Sequence, residues 1–505
     1  MKKVMHSGIM SFLIILFIQI AVFVSVILWL REYSGYIIEI MNILTAILLV
    51  YEINRSSEPA FKYAWILIIA ILPVFGCLLY MYIHINVITK KINEMANKVE
   101  EKTKEYLVQD KKISCELESE GIMDGLSCYL NNYANCPTYK NTSVEYFPLG
   151  ENKFKKMKEE LEKAEKFIFM EYFIVDANSI MWQEILEILK RKISENVEVR
   201  FIYDAMGSLT TFTAKNCEEL EKMGIKCRTF KRVTPLFATY QNNRNHRKIL
   251  VIDGHTAFTG GINIADEYIN KNERFGHWKD TAVMVKGDGA VSFTIMFLQM
   301  WNTFFANGEE DYESYIVNNK VKSDGYVIPY CDSPTDGENV GERVYLDIIN
   351  RSTSYVHIMT PYLVISHDMQ EALKFAAKRG VDVKILMPHI PDKPYALWLA
   401  RSYYPKLIEA GVKIFEYEKG FIHAKVTVSD DVTAVVGTIN YDYRSLYLNY
   451  ECALLMHKVP AISDIENDFI DTQNMCEKIN MDTYKKFSVI GRLFGMVIKF
   501  FAPLI

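Results

Sequence analysis

The sequence predicts an α/β protein. Two tandem halves with mixed or parallel sheets share one active site, and transmembrane helices precede them. Three observations carry that reading: uncharged apolar runs cluster at the N-terminus, a strand–helix–strand pattern occurs twice downstream, and the same polar motif recurs at the same point of each copy. A chain of 505 residues is too long for one compact domain and suggests two to four. Hydrophobic residues make up 50% and charged residues 24%, which excludes a disordered chain. A net charge of −5 argues against a generic nucleic-acid binder. The nine cysteines never form C-x-x-C, which suggests neither a zinc cradle nor a dense disulfide framework.

Residues 9–30 carry no charge and reach the roughly 20 residues that cross a bilayer. They exceed the core of a secretory signal, and no small-residue cleavage site follows. Residues 64–84 form a second strong span, interrupted only by Pro73 and Gly76, which membrane helices tolerate. Between them, 37–53 carries Glu39 and Asn42 and reads as a spanning or re-entrant helix, with an interfacial helix as the alternative. The membrane region is thus 1–87. Three crossings would set Lys2, Lys3, Arg55 and Lys62 opposite Lys90, Lys91, Lys98, Lys102 and Lys104, so the positive-inside rule pulls both ways. A cytosolic catalytic region, the expectation here, requires one segment not to cross fully. Residues 88–145 are polar and read as a solvated, helical linker.

The remainder is duplicated. In 146–318, strand 167–173 precedes a helix at 181–192 and a strand at 197–203. In 319–505, strand 356–362, helix 369–378 and strand 381–387 repeat the order. The first copy then reads Asn245-His246-Arg247-Lys248, Asp253 and Gly260-Gly261-Ile262-Asn263. The second reads His423-Ala424-Lys425, Asp430 and Gly437-Thr438-Ile439-Asn440, so both are H-x-K-x4-D-x6-G-x-x-N. His and Lys two apart on a strand face one side. The Gly permits a close backbone approach, and Asn supplies a side-chain donor. Two cations and two amides suit an anionic phosphate, and two histidines suit an in-line displacement with one nucleophile and one general acid.

These motifs look like the HKD motifs of the phospholipase D superfamily, and the chain resembles bacterial cardiolipin synthases. The likeness includes Arg55-Ser-Ser-Glu-Pro59, Ala64-Trp65, Leu72–Tyr80, Gly260–Tyr268, Trp278-Lys279-Asp280 and Tyr441–Glu451. Gly261 stands where many members have Ser, and Lys279 where Arg is usual. The resemblance implies two phospholipase D-like halves and transfer of a phosphatidyl group between two phosphatidylglycerols. Cardiolipin forms and glycerol leaves, through a phosphohistidine, with no metal and no cofactor. It implies His246 as nucleophile and His423 as acid/base, with Lys248, Lys425, Asn263 and Asn440 on the phosphate. Asp280 and Glu451 would orient the histidines. Asp253 and Asp430 complete the catalytic motifs, although their place suits holding strand ends or loops. The implied partners are phosphatidylglycerol, cardiolipin and the membrane, without nucleic acid. The alternative is a membrane-bound phospholipase D that hydrolyses phospholipids to phosphatidic acid. A phosphatidylserine synthase-like transferase, a nuclease and an inactive lipid-binding scaffold fit the motifs and spans less well. The segment 491–505 is apolar with Arg492 and Lys499, too short to span, and reads as an interfacial helix.

Overall fold

Mostly apolar and buried on both faces, the runs at 167–172 and 355–359 fold as central strands of sheets that other elements cover on both sides. The computed structural model describes Ser25 and residues 34–55, 58–84, 87–121, 124–230, 242–305 and 311–504. The first half contains β1 (Thr142–Phe147), β2 (Phe167–Tyr172), β3 (Glu198–Asp204), β4 (Lys226–Phe230), β5 (Ile249–Ile252), β6 (Thr256–Gly260), β7 (His277–Lys279) and β8 (Ala282–Gly287). Seven of these form a sheet in the order β1-β8-β6-β5-β2-β3-β4. The pairs β2–β3 and β3–β4 are parallel, and the others are antiparallel.

The second half contains β9 (Tyr326–Asp332), β10 (Tyr355–Met359), β11 (Leu363–Val364), β12 (Asp382–Pro388), β13 (Lys413–Tyr417), β14 (Gly420–Ile422), β15 (Val426–Ser429), β16 (Thr433–Gly437), β17 (Tyr441–Asp442), β18 (Glu451–His457) and β19 (Cys476–Ile479). Its large sheet runs β19-β13-β12-β10-β15-β16-β18-β9. Stripped of β19, this is the first sheet strand for strand. Even the helix starts repeat. The Ser179 hydroxyl accepts from Trp182 N (3.0 Å) at the head of Ile180–Ser194, and the Ser366 hydroxyl accepts from Met369 N (3.2 Å) at the head of His367–Lys378.

The halves are joined by burial. One apolar cluster takes Phe169, Val283, Val285 and Phe297 from the first half and Val426, Val436, Leu454 and Phe469 from the second. Helix Ala290–Phe304, uncharged and mostly apolar, belongs to this cluster and is buried almost all round. The catalytic halves therefore form one body, within the compact unit of residues 91–232 and 243–499.

The other compact unit holds the N-terminal helices α1 (Ser34–Asn54), α2 (Pro59–Ile71) and α3 (Pro73–His84), together with the chain's last residues. Here the structure corrects the sequence reading. Residues 64–84 are not one helix. The chain leaves helical geometry at Leu72 (φ −125°, ψ 70°), because a residue before proline is pushed out of the α region and Pro73 has no N–H to continue the ladder. The expected span at 37–53 is helical within α1, while the one at 9–30 lies outside the described residues, Ser25 excepted. Among the described residues no helix is long and apolar enough to cross a membrane.

Candidate active site

The two H-x-K segments do not sit on strands. Each is an extended stretch that enters β5 or β15 immediately after its lysine. The reason is a contact between the halves: His246 N donates to Tyr450 O (2.9 Å), and His423 N donates to Lys279 O (2.7 Å). In both cases the residue before the histidine pairs, in parallel, with the residue before an acidic residue of the other half: Asn245 with Tyr450, and Ile422 with Lys279.

That register crosses the carboxylates over. His246 Nδ1 lies 2.9 Å from both Glu451 oxygens, and His423 Nδ1 lies 2.7 Å from Asp280 Oδ2. Each half therefore lends its carboxylate to the other half's histidine. An ionised carboxylate only accepts, so each Nδ1 carries the proton and each Nε2 presents a lone pair. Burial acts to raise the Glu451 carboxyl, but His246, Lys248 and the Thr438 hydroxyl outweigh it and hold the group below the ordinary carboxylate range.

Burial pushes His246 down to about 4 against the pull of Glu451. It pushes His423 down to about 3, with Lys425 adding to the effect. The lysines follow: burial lowers Lys248 to about 7 and Lys425 to about 8. Lys248 Nζ donates to His246 O (2.6 Å), and Lys425 Nζ donates to His423 O. A buried cluster of two neutral imidazoles and two weakened ammonium groups is poised to receive an anion, whose charge restores protons to it.

Other sequence candidates fall in different places. Asp253 and Asp430 are not at the reacting end. Asp253 accepts from the backbone of Glu165, Lys166 and Phe167, each at 2.8 Å. Asp430 accepts from Thr353 (2.7 Å), Ser354 (2.9 Å) and Tyr355 (2.8 Å). Both adopt positive φ, 52° and 56°, at the far ends of β5 and β15. Their inclusion with the catalytic residues is corrected: each carboxylate ties down the start of the neighbouring central strand.

Asn263 accepts from Ile174 N (3.0 Å) and donates to Tyr268 Oη (2.7 Å), so its amide holds a loop and a tyrosine. Tyr268 in turn packs edge-on to His423. Asn440 is buried. Gly260 and Gly437 make the close approaches expected of them: a Cβ would stand 2.4 Å from Thr281 O at Gly260 and 2.5 Å from Ala453 Cα at Gly437. At Gly261 a Cβ would lie 2.0 Å from Asp280 Oδ1, so the glycine is what leaves room for that carboxylate beside His423.

Sequence reasoning missed Asp204, Arg244 and Arg247, which complete the frame around His246. Arg244 Nη2 pairs with buried Asp204 at 2.9 Å, and Asp204 also accepts from Asn245 N (3.1 Å). Asn245 Nδ2 donates to Glu171 (2.7 Å), and burial raises the Glu171 carboxyl to about 7. Arg247 Nε donates to Glu451 O (3.1 Å). The signal was present as Arg244-Asn245-His246-Arg247-Lys248 against Phe421-Ile422-His423-Ala424-Lys425, the same motif in polar and in apolar company.

The sequence signature described as "Cardiolipin synthase, PLD-like domain" matches residues 157–288 and 345–472, one stretch for each half. The chain belongs to this cardiolipin synthase family of the phospholipase D superfamily. A second signature, "Phospholipase_D-nuclease N-terminal", matches residues 40–83. Among relatives, an uncharacterized protein of Streptococcus mutans is 48% identical over 458 residues, covering 90% of this chain and 99% of that one. A cardiolipin synthase of Clostridium perfringens is 34% identical over 466 residues, covering 89% and 95%. Of solved structures, the phosphatidylserine synthase of Haemophilus influenzae superposes with a TM-score of 0.56 at 15% identity, over 75% of this chain and 96% of that one, a likeness of fold. The crossed carboxylate–histidine pairs of this cardiolipin synthase family member join residues 143 and 205 positions apart.

Proposed function

We propose that this protein is a phosphatidyltransferase that makes cardiolipin from two phosphatidylglycerols. The observation that carries the reading is the crossed pairing, in which each half's carboxylate orients the other half's imidazole; the reading has both imidazoles serve one phosphate. His246 Nε2 attacks the phosphorus of the first lipid. A P–N bond forms, the P–O bond to the terminal glycerol breaks, and His423 Nε2–H gives its proton to the departing oxygen. The terminal hydroxyl of a second lipid then loses its proton to His423 and attacks the phosphohistidine, so the P–N bond breaks as the new P–O bond forms. One phosphodiester replaces another, so no nucleotide is consumed.

His423 is neutral in the empty site. The phosphodiester anion, with Asp280 behind the ring, favours the imidazolium that the first step needs. Glu451 accepts from Thr438 (2.5 Å) and Asn449 (3.3 Å) besides His246, which spreads its charge and suits a neutral nucleophile. Lys248 and Lys425 supply positive charge to the phosphate, and Asn440 an amide. Asn263 supports from behind, through Tyr268.

The substrates being lipids, the reading includes a multi-pass membrane region over 1–87 and a cytosolic catalytic region of two halves that meet near 318–319. The first half begins with β1 at Thr142, inside the stretch expected as linker, and the helices before it bury Leu117, Leu126 and Leu130. The C-terminal helix Val489–Phe501 fits an interfacial role. Val489, Ile490, Leu493, Met496 and Val497 are exposed, while Gly491 and Gly495 lie against Trp398. The test is conversion of phosphatidylglycerol vesicles by the full-length protein, with EDTA and without nucleotide, read by mass spectrometry. Cardiolipin and equimolar glycerol are expected. Phosphatidic acid as the main product would make the protein a hydrolase.

A further inference from the structure

The segment that hydropathy reads as the last membrane span turns back on itself. Helices α2 and α3 have 13 and 12 residues. At 1.5 Å per residue they reach only about 20 and 18 Å, against a hydrocarbon core of roughly 30 Å. One non-helical residue, Leu72, separates them. Beyond it the backbones touch: a Cβ on Gly76 would stand 2.7 Å from Ile68 O and 2.8 Å from Ile69 Cα. In one continuous helix positions 68 and 76 would be about 12 Å apart. The lack of a side chain at Gly76 is what lets the arms close.

Pairing along the arms shows the same reversal. The Trp65 ring meets Tyr80 at 5.3 Å and His84 at 5.5 Å, both edge-on. Trp65, Ile69, Cys77 and Tyr80 form a small core, with Leu44 and Leu48 of α1 packed on it. The charged groups of the hairpin lie at its open end, and nearer the turn the one polar contact the described residues show is Thr45 Oγ1 of α1 with Cys77 Sγ at 3.3 Å. Tyr80 Oη donates to buried Glu52 (2.5 Å), Arg55 Nη1 lies 2.8 Å from His84 Nε2, and Lys62 Nζ donates to Ile53 O (3.3 Å). The opposite end, the turn at 71–72, is apolar and exposed, Ile71 by 64% and Leu72 by 50%. The end of α1, the start of α2 and the end of α3 thus share one polar level, and an uncharged tip points away from it.

We infer that residues 59–84 form a re-entrant hairpin that dips into one leaflet and returns to the face it entered, the cytosolic one. This rests on the membrane reading above and goes beyond it by saying which segment does not cross. It removes the conflict in the charges. Arg55 and Lys62 before the hairpin now share a face with Lys90, Lys91, Lys98, Lys102 and Lys104 after it, as the positive-inside rule asks. The chain that leads from α3 into the catalytic halves therefore starts on the cytosolic side.

The experiment uses full-length protein in bacterial membranes. Cys115 and Cys128, which are exposed, and the partly exposed Cys217, Cys331 and Cys476 are replaced by Ser. Single cysteines are added as Asn54→Cys or Lys91→Cys, and a membrane-impermeant maleimide is applied to intact cells and to inverted vesicles. Both positions should label in inverted vesicles and neither in intact cells, with retained cardiolipin synthesis reporting a folded background. Labelling from opposite sides, or of both from outside, overturns the hairpin's placement. Release of the protein by alkaline carbonate would instead defeat the membrane reading itself. Independently, spin labels at Tyr63→Cys and Tyr82→Cys should lie within about 20 Å, whereas a single straight helix sets them about 28 Å apart.

Discussion

His246 is framed mainly by charge, with the single Phe173 ring edge-on at 5.0 Å, and His423 by three aromatic rings. Around the first stand Arg244–Asp204, Asn245–Glu171 and Arg247. Around the second stand Trp278 at 5.4 Å, Tyr268 at 5.6 Å and Phe421 at 5.8 Å. The carboxylates differ in the same sense. Glu451 collects Thr438 and Asn449 besides its histidine, whereas Asp280 takes Thr281 N at 2.8 Å and leans into the space that Gly261 leaves open. Duplication supplied two equivalent histidines, and the surroundings, more than the motif, distinguish them. The functional unit is the crossed pair, so neither half alone holds a complete site.

The largest effects should come from the histidines. His246→Ala and His423→Ala should each reduce cardiolipin formation by about 10³-fold or more, since the first removes the nucleophile and the second the general acid. The comparison sharpens with an aryl phosphodiester, whose leaving group needs no proton. His423→Ala should regain enzyme phosphorylation with it, and His246→Ala should not, as followed by aryl alcohol release.

Next come the carboxylates. Asp280→Asn and Glu451→Gln should each cost about 10²-fold to 10³-fold in kcat, because the imidazolium or its tautomer loses its partner. Exchanging the neighbouring residues should expose the asymmetry. Gly261→Thr forces Asp280 off His423 and should approach the Asp280→Asn loss. Thr438→Gly removes one hydrogen bond from Glu451 and should cost roughly 10-fold or less. Equal losses from these two would break the distinction drawn between the halves.

Asp253→Ala and Asp430→Ala should act on folding instead. Each frees three backbone N–H groups, more deeply buried at Asp253 than at Asp430, so a loss of about 1–3 kcal/mol is expected in thermal or denaturant unfolding, larger for Asp253→Ala, with activity per folded molecule unchanged.

The smallest effect is a pH dependence of stability. The folded histidines titrate near 4 and 3, below the unfolded value of 6.5. The unfolded chain therefore binds more protons between those values. Stability should be complete above about pH 6.5 and decline as pH falls toward about 4, by a few kcal/mol at most. The His246→Ala variant should flatten that decline.

Much of this was legible in the sequence. Spacing alone placed both H-x-K motifs at equivalent points, because a buried strand after each one leaves a readable apolar run. Gly260 and Gly437 announced close approaches. The crossing of Glu451 to His246 was not legible, since it depends on a parallel bridge between segments about 200 residues apart, and no local pattern encodes such a bridge. The backbone role of Asp253 and Asp430 was only half legible: their position suited it, but the motif grouped them with the catalytic residues. The hairpin was hidden for a different reason. A hydropathy window averages over Leu72-Pro73 and sees one apolar run, whereas the turn is set by that proline and the contact by Gly76.

The most direct test is to trap the covalent intermediate. Full-length His423→Ala protein would be incubated with an aryl phosphodiester of diacylglycerol, quenched, and its peptides read by mass spectrometry. A phosphatidyl adduct on the peptide that carries His246 is expected. An adduct on His423 in the reciprocal His246→Ala protein, with none on His246, would contradict the assignment of roles. No adduct in either protein would contradict the two-step displacement itself.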